Sequence, residues 1–146
     1  LTMKTVTDPL TVANELRPVL LKLARHLRRE VHDLGVTGSQ VTLLVQIKQR
    51  PGVGIRELAE IEAVSAPRMS QAVDRLVSLA LVQRNPGEDR RRVGLELTAR
   101  GEGVLRSVRK RRTAWLAERL KGLEPDELDA LEAAVAPLER LLEAGE

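Results

Sequence analysis

The fold of this chain is decided by residues 54–101, whose sequence is GIRELAEIEAVSAPRMSQAVDRLVSLALVQRNPGEDRRRVGLELTARG. Apolar residues at helical spacing predict a short helix over residues 55–61, with Ile61 turned inward, and a second helix over residues 65–79. Only residues 62–64 separate the two helices. A short helix, a tight turn and a second helix together predict a helix-turn-helix.

Two extended segments follow the second helix. Residues 81–84 form the first, and residues 92–97 form the second, in which apolar and polar side chains alternate. The polar residues 85–91 lie between them and predict the tip of a hairpin.

The second helix of the pair has an apolar side, with Met69, Val73 and Leu76, and an opposite polar side. In helix-turn-helix proteins the N-terminal part of this helix faces base edges in the major groove. Arg can bond guanine and Gln can bond adenine through two hydrogen bonds, and an arginine one turn further on is better placed for phosphate. The residues predicted to face DNA are therefore Ser65, Pro67, Arg68, Ser70, Gln71 and Arg75. The alternative is an ordinary amphipathic helix whose polar side chains are solvated.

The predicted hairpin tip carries Arg90, Arg91 and Arg92 beside Asp89. Three adjacent cations repel one another, so a compensating anion is expected. Arginine at such a tip can enter a narrow minor groove, where the potential is most negative. Asp89 could fix the shape of the tip by pairing with one arginine. The alternative is a solvated charged turn.

Long amphipathic helices flank this region on both sides. On the N-terminal side, Asp8-Pro9 starts a helix that Gly35 ends and that Pro18 is expected to kink or break. Thr37, with Gln40 three residues later, predicts a capping box for the next helix.

On the C-terminal side, Thr98 caps a long helix that runs to about Leu120. Pro125 starts the last helix, and Pro137 is expected to interrupt its apolar seam and to kink it. Both terminal helices carry an apolar stripe that a small helix-turn-helix module does not need, which indicates dimerisation. The alternative is that both stripes pack within one subunit.

Charge is unevenly distributed along the chain. It has 24 Lys and Arg against 21 Asp and Glu, but residues 123–146 hold eight of the acids and one arginine, so residues 1–122 hold 23 bases against 13 acids. This division predicts a basic body that meets a polyanion and an acidic segment turned away from it. The alternative is a generally basic proteome and a solvated acidic helix.

Several function classes fit this sequence poorly. There is no Cys and no Gly-rich phosphate loop, and His26 and His32 lie on different faces of one helix, so we expect no enzyme, no cofactor and no metal site. Trp115 is the only aromatic residue, whereas single-strand binding needs several stacking platforms. No segment is long and apolar enough to span a membrane, there is no signal peptide, and we expect a cytoplasmic protein.

Two segments resemble the MarR (multiple antibiotic resistance regulator) family. Residues 64–76, VSAPRMSQAVDRL, look like its recognition helix, and residues 89–101, DRRRVGLELTARG, look like its wing signature. The resemblance implies a mainly α fold with a small β-hairpin wing: a winged helix-turn-helix whose chain ends form a helical dimerisation region. It also implies a homodimer on a palindromic double-stranded DNA operator, with Arg91 in the minor groove, Asp89 as its wing partner, and the positions of Pro67, Arg68, Ser70 and Gln71 facing bases and phosphates.

This resemblance divides the chain into an N-terminal dimerisation helix (1–34), a winged helix-turn-helix region (35–100), and a connecting helix with a C-terminal dimerisation helix (101–146). Ala80 departs from the family, which has Gly just after the recognition helix. A left-handed alanine there is strained by roughly 1 kcal/mol, so the turn could be built differently.

The family further implies a repressor that a small anionic or phenolic effector releases from DNA. Arg111 and Arg112 could line an effector cleft near Trp115, or could belong to a solvated helix face. A protein–protein interaction module without sequence-specific DNA binding is the rival interpretation, since winged helices also serve as scaffolds.

Overall fold

A computed structural model describes residues 6–86 and 93–143 of the chain. It forms two compact units, Leu1–Arg112 and Thr113–Glu146. Six α-helices and one antiparallel hairpin of two strands make up the described residues, with a single 3-10 turn after the first helix. The prediction of a mainly α fold with a small hairpin is therefore confirmed.

Helix α1 (Pro9–Arg29) begins as predicted, because the Asp8 carboxylate accepts a hydrogen bond from the N–H of Leu10 at 3.4 Å. The helix runs through Pro18 without a break. Proline removes one hydrogen bond to the carbonyl of Asn14, and both residues are exposed, so water can satisfy that carbonyl.

The α1 helix ends earlier than predicted, at Arg29. A 3-10 helix (His32–Leu34) follows, and Gly35 ends that helix in a left-handed conformation with φ of 81°. Helix α2 (Gly38–Gln49) then starts with the predicted capping box. The Thr37 hydroxyl accepts from the N–H of Gln40 at 3.1 Å, and the Gln40 amide oxygen accepts from the N–H of Thr37 at 2.9 Å.

Helices α3 (Ile55–Ile61) and α4 (Ala66–Ser78) form the helix-turn-helix. Leu58 and Ala59 of α3 are buried, but Ile61 is 36% exposed, so its predicted inward orientation is wrong. Ile61 is the last residue of α3, where the chain already turns away from the core. Helical spacing alone does not show where a helix ends, so it does not predict this orientation.

Strands β1 (Val82–Pro86) and β2 (Val93–Leu97) pair antiparallel, with Val82 opposite Leu97 and Pro86 opposite Val93. The β1 strand extends two residues further than predicted. Proline is tolerated there because it occupies the end of an edge strand, where it need not donate to a ladder. Val53, before α3, forms an isolated bridge with Leu95 and anchors the base of the hairpin.

Helix α5 (Ala99–Leu120) follows the predicted bounds, and α6 (Pro125–Glu143) is continuous through Pro137. The helix is therefore not broken at Pro137. Proline leaves the carbonyl of Ala133 without its helical donor, and both residues are exposed, so that carbonyl can bind water.

The core lies entirely within the first unit and joins α2, the helix-turn-helix, the hairpin and the start of α5. Its buried apolar residues are Val31, Val36, Val41, Leu43, Leu44, Ile47, Val53, Leu58, Ala59, Met69, Val73, Leu76, Leu81, Val82, Leu95, Leu105 and Val108. Helices α1 and α6 contribute no buried residue within their own bounds. The core therefore fixes α4 and the hairpin relative to each other.

Candidate nucleic-acid interface

Helix α4 is built to present one polar face. The Ser65 hydroxyl caps it by accepting from the N–H of Arg68 at 3.3 Å, and a proline in the first turn needs no partner for a backbone N–H. Its apolar residues Met69, Val73 and Leu76 are at most 2% exposed. Because that side is committed to the core, the other side of the helix is left for solvent or a partner.

The residues predicted to face DNA lie on this open side of α4 or at its start. Ser65, Pro67, Arg68, Gln71 and Arg75 are exposed, and Ser70 is half-buried. They present two guanidinium groups, one amide and two hydroxyls over about three helical turns. These are the donors and acceptors that read base edges and bind phosphate.

The turn before α4 sets the angle between the two helices. Ala63 has a left-handed φ of 54°, and the N–H of Val64 donates to the carbonyl of Ala59 at 3.0 Å. These contacts close α3 tightly and direct the chain straight into the Ser65 cap. The N-terminal end of α4 is thereby held in a defined position beside α3.

The hairpin is placed by close backbone contacts. A Cβ atom on Gly94 would lie 2.9 Å from the Cα atom of Gly52, so only glycine allows β2 to pass so close to the loop before α3. The predicted tip residues Asp89, Arg90, Arg91 and Arg92 lie outside the described residues. What the structure describes is the pair of strands that leads to them.

An ion pair joins α4 to the hairpin. Arg84 on β1 donates to the Asp74 carboxylate on α4, and both side chains are exposed. Sequence reasoning missed this pair. The sequence did contain a signal, because Asp74 lies on the helix that is predicted to face DNA. Phosphates repel a carboxylate there unless a cation pairs with it.

Ala80 adopts the left-handed conformation with φ of 60° after α4. The turn therefore has the left-handed geometry that glycine would adopt at this position, and the different turn considered from the sequence does not form. The carbonyl of Ala80 accepts a hydrogen bond from the Thr98 hydroxyl at 2.6 Å, which ties the turn to the start of α5.

A cavity of about 320 Å³ opens beside the N-terminal half of α4. Its lining combines apolar side chains with the guanidinium groups of Arg28 and Arg68 and the carboxyl group of Glu62. The residues that line it are Arg28, Ser39, Thr42, Leu43, Glu62, Val64, Arg68, Met69 and Ala72. This size suits a small organic molecule.

The two arginines considered for an effector cleft are engaged within the first unit. Arg111 forms an ion pair with Asp33; this hydrogen bond lowers the pKa of that carboxyl and raises the pKa of the guanidinium. The Nε of Arg112 donates to the carbonyl of Leu27 at 3.0 Å, and burial, with a smaller effect from the charge of Arg28, lowers its pKa. Arg112 therefore holds α5 against the end of α1, and Arg111 holds it against the 3-10 helix that follows.

Trp115 belongs to the second unit. The guanidinium of Arg119, one turn later on α5, lies 5.0 Å from the centre of its ring, a cation–π distance. In the part of the chain that the structure describes, no three His, Cys, Asp or Glu side chains cluster as metal ligands would. No helix among the described residues has the length and apolar character needed to cross a membrane.

Sequence comparison shows which family this chain belongs to. The sequence of residues 34–92 matches the model of the MarR family. HTH-type transcriptional regulators of Mycobacterium leprae and Mycobacterium tuberculosis are each 30% identical over 124 residues, which is 84% of this chain and 87% of each relative.

Solved structures agree with the sequence comparison. A putative transcriptional regulator of Pseudomonas aeruginosa superposes with a TM-score of 0.81 and 28% identity, over 95% of this chain and 98% of that one. The apo form of wild-type MarR from Escherichia coli superposes with a TM-score of 0.74 over 92% of this chain and 98% of that one, and at 23% identity it supports the fold alone.

Proposed function

Because the chain belongs to the MarR family of transcriptional regulators and has its DNA-binding helix-turn-helix fold, we propose that it represses transcription as a homodimer on a palindromic operator and that a small effector releases it. The observation that carries this proposal is the polar face of α4, exposed opposite a fully buried apolar face. The chemistry of this family is binding rather than catalysis, since the relatives are transcriptional regulators.

We assign the DNA contacts by residue. Arg68 and Gln71, in the first two turns of α4, read base edges, with Ser65, Pro67 and Ser70 beside them, and Arg75 binds phosphate. At the wing, Arg91 enters the minor groove, Asp89 fixes its orientation, and Arg90 and Arg92 bind the flanking backbone. The winged helix-turn-helix region is residues 35–100.

Homodimerisation is supported by the apolar surface of the two terminal helices. On α1, Leu10 is 69% and Leu21 is 61% exposed, and on α6, Leu131 is 48% and Leu142 is 77% exposed. Apolar stripes of this length are costly in water and mark association surfaces. We therefore assign residues 1–34 and 101–146 to dimerisation, which places two recognition helices on successive major grooves.

For the effector, we propose a small anionic or phenolic compound in the cavity between Arg28 and Arg68. An anion bound there competes for the guanidinium of Arg68 and favours a spacing of the two recognition helices that does not match DNA. A coupling free energy of roughly 1–3 kcal/mol between the two sites is enough for a useful switch.

The test is a nuclease footprint of the purified protein on the DNA upstream of its own gene, at about 0.15 M salt. We expect protection of a roughly palindromic stretch that is lost in the Arg91→Ala variant. If the dimer neutralises about eight phosphates, the affinity falls with salt with a log–log slope of about −7. Diffuse binding with a slope near −2 and no effect of Arg91→Ala would contradict the proposal and favour a protein–protein interaction module.

A further inference from the structure

A second groove, with a volume of about 520 Å³, lies between the C-terminal end of α1 and the N-terminal end of α2. We call it the α1–α2 groove. Its walls carry three arginines from the end of α1, a histidine from the 3-10 helix and two hydroxyls from the start of α2: Arg25, Arg28, Arg29, His32, Thr37 and Ser39. All six residues are exposed in the single chain, and Leu21, which also lines the groove, lies on the α1 surface assigned above to dimerisation.

The charge of this groove is not balanced locally. No acidic residue lines it, and among the described residues none of Arg25, Arg28 and Arg29 has a carboxylate oxygen within 4.0 Å. Two acids neighbour these residues in the chain: Glu30 does not line the groove, and Asp33 is paired with Arg111. Clustered cations without counterions attract a polyanion.

Arg28 is held in place rather than free in solvent. Its Nη2 donates to the Ser39 hydroxyl at 3.1 Å, and a Cβ atom on Gly38 would lie 3.0 Å from its Nε. Glycine at the first position of α2 thus lets the Arg28 side chain lie along that helix turn. The positive N-terminal end of α2 adds to the potential at the same place.

The groove is continuous with the recognition helix. Arg28 and Ser39 line both the α1–α2 groove and the cavity beside α4, and Arg68 also lines that cavity, as does the acid Glu62. Guanidinium groups therefore border both pockets, with Arg28 shared between them. Successive phosphates of a DNA strand present a series of anions that guanidinium groups in both pockets can bind.

We propose that the α1–α2 groove binds the phosphodiester backbone of the operator and extends the contact of α4 along one strand through Arg25, Arg28 and Arg29. This inference rests on the proposed DNA-binding function. A small anion is the alternative occupant of the groove, and the experiment below distinguishes it from the DNA backbone.

The experiment compares the full-length double variant Arg25→Ala/Arg29→Ala with wild type on two fluorescent duplexes, the footprinted operator and a scrambled sequence, between about 0.05 and 0.3 M salt. The matched control is Arg106→Ala/Arg109→Ala, which removes the same charge from two exposed positions on α5 that lie outside both cavities. Size-exclusion chromatography and thermal unfolding establish that both variants fold and dimerise like wild type.

For the groove variant we expect a log–log salt slope that is less steep by about 3.6, since four contacts per dimer are lost. The affinity should fall at least about tenfold on both duplexes, with their ratio preserved, because phosphate contacts carry no sequence information. The control should keep the wild-type slope, and Arg25→Lys/Arg29→Lys should keep most of it.

A slope equal to that of wild type on both duplexes would overturn the inference. If, in addition, sodium benzoate released wild type but not the groove variant from DNA, the groove would belong to a small anion instead. Failure of the proposed function is a separate result: wild type would then show no preference for the operator, while the slope on the scrambled duplex would still test the groove.

Discussion

The hydroxyl of Thr98 donates a hydrogen bond to the carbonyl of Ala80 at 2.6 Å and accepts one from the N–H of Gly101 at 3.0 Å. The N–H of Thr98 also donates to the carbonyl of Leu81 at 3.1 Å. One residue thus joins the turn after the recognition helix, the exit from the hairpin and the first turn of α5. The orientation of the wing relative to α4 depends on this junction.

Replacing Thr98 by valine keeps its shape and removes both side-chain hydrogen bonds. We expect the free energy of unfolding to fall by about 1–2 kcal/mol, as for the loss of a helix cap with a second partner. Urea unfolding at one fixed protein concentration measures this. Thr98→Ser retains the hydroxyl and should lose less than about 0.5 kcal/mol. A loss in Thr98→Ser as large as that in Thr98→Val would contradict this account, because the methyl group would then contribute as much as the hydrogen bonds.

Gly101 is required by the same junction. A Cβ atom on Gly101 would collide with the carbonyl oxygen of Leu81, which is backbone and cannot move aside alone. Gly101→Ala should therefore lower the free energy of unfolding by about 1–3 kcal/mol or more. Gly103→Ala, two residues later on the same helix, is the matched control. A Cβ atom on Gly103 would have the far end of the Arg106 side chain as its nearest neighbour, at 3.6 Å. Gly103→Ala should therefore stabilise the helix by up to about 1 kcal/mol. A destabilisation of similar size in both variants would contradict this account.

The left-handed alanine after α4 offers a stabilising change. Ala80 has φ of 60°, which strains an L-residue by about 1–2 kcal/mol, whereas glycine adopts it freely. Glycine also gives the unfolded chain more conformational freedom, which offsets about 0.4–1 kcal/mol of the strain that is relieved. Ala80→Gly should thus raise the midpoint of thermal unfolding slightly. Ala59→Gly, at a buried position inside α3, should lower it; a drop in both would mean that the turn does not store the strain.

Most of the fold could be predicted because local signals and tertiary structure agree. The Thr37–Gln40 capping box, the helix bounds Ile55–Ile61 and the Ser65 cap all follow from short-range chemistry. Neither Pro18 nor Pro137 breaks its helix, because water can bind the freed carbonyl of an exposed helix. A sequence does not tell which side of a proline-containing helix will face solvent.

The candidate site was predictable on α4 and less so around it. The alternation of buried and exposed residues on α4 is a local pattern, so the positions of Arg68 and Gln71 on the open face followed directly. The Asp74–Arg84 pair and the Arg28–Ser39 contact join residues ten and eleven positions apart on different elements. Such contacts depend on how elements pack, which periodicity does not encode.

The Asp33–Arg111 ion pair predicts a pH dependence of stability. The hydrogen bond from Arg111 lowers the pKa of the Asp33 carboxyl below its usual value near 3.9. Since the folded-state pKa is the lower one, the stabilisation is present above about pH 4 and is lost as pH falls through the folded-state value.

We therefore expect Asp33→Asn to lower the midpoint of thermal unfolding at pH 6, with a difference from wild type that shrinks between about pH 4 and pH 3. Both sites of the pair are exposed, so the difference should be small. Asp129→Asn, on the exposed surface of α6, controls for the general effect of removing one negative charge. A difference that stays constant down to pH 3 would contradict this assignment.

The central claim is that the exposed face of α4 reads base sequence, and the most direct test measures the ratio of affinities for the operator and a scrambled duplex. Gln71→Ala changes no charge, so an effect on this ratio reports base contact rather than phosphate attraction. Gln49→Ala, at an exposed position on α2, is the matched control. We predict that Gln71→Ala lowers operator affinity by about 1–3 kcal/mol, leaves affinity for the scrambled duplex unchanged, and that Gln49→Ala alters neither. An unchanged ratio in Gln71→Ala, or a wild type without preference for the operator, would contradict the claim.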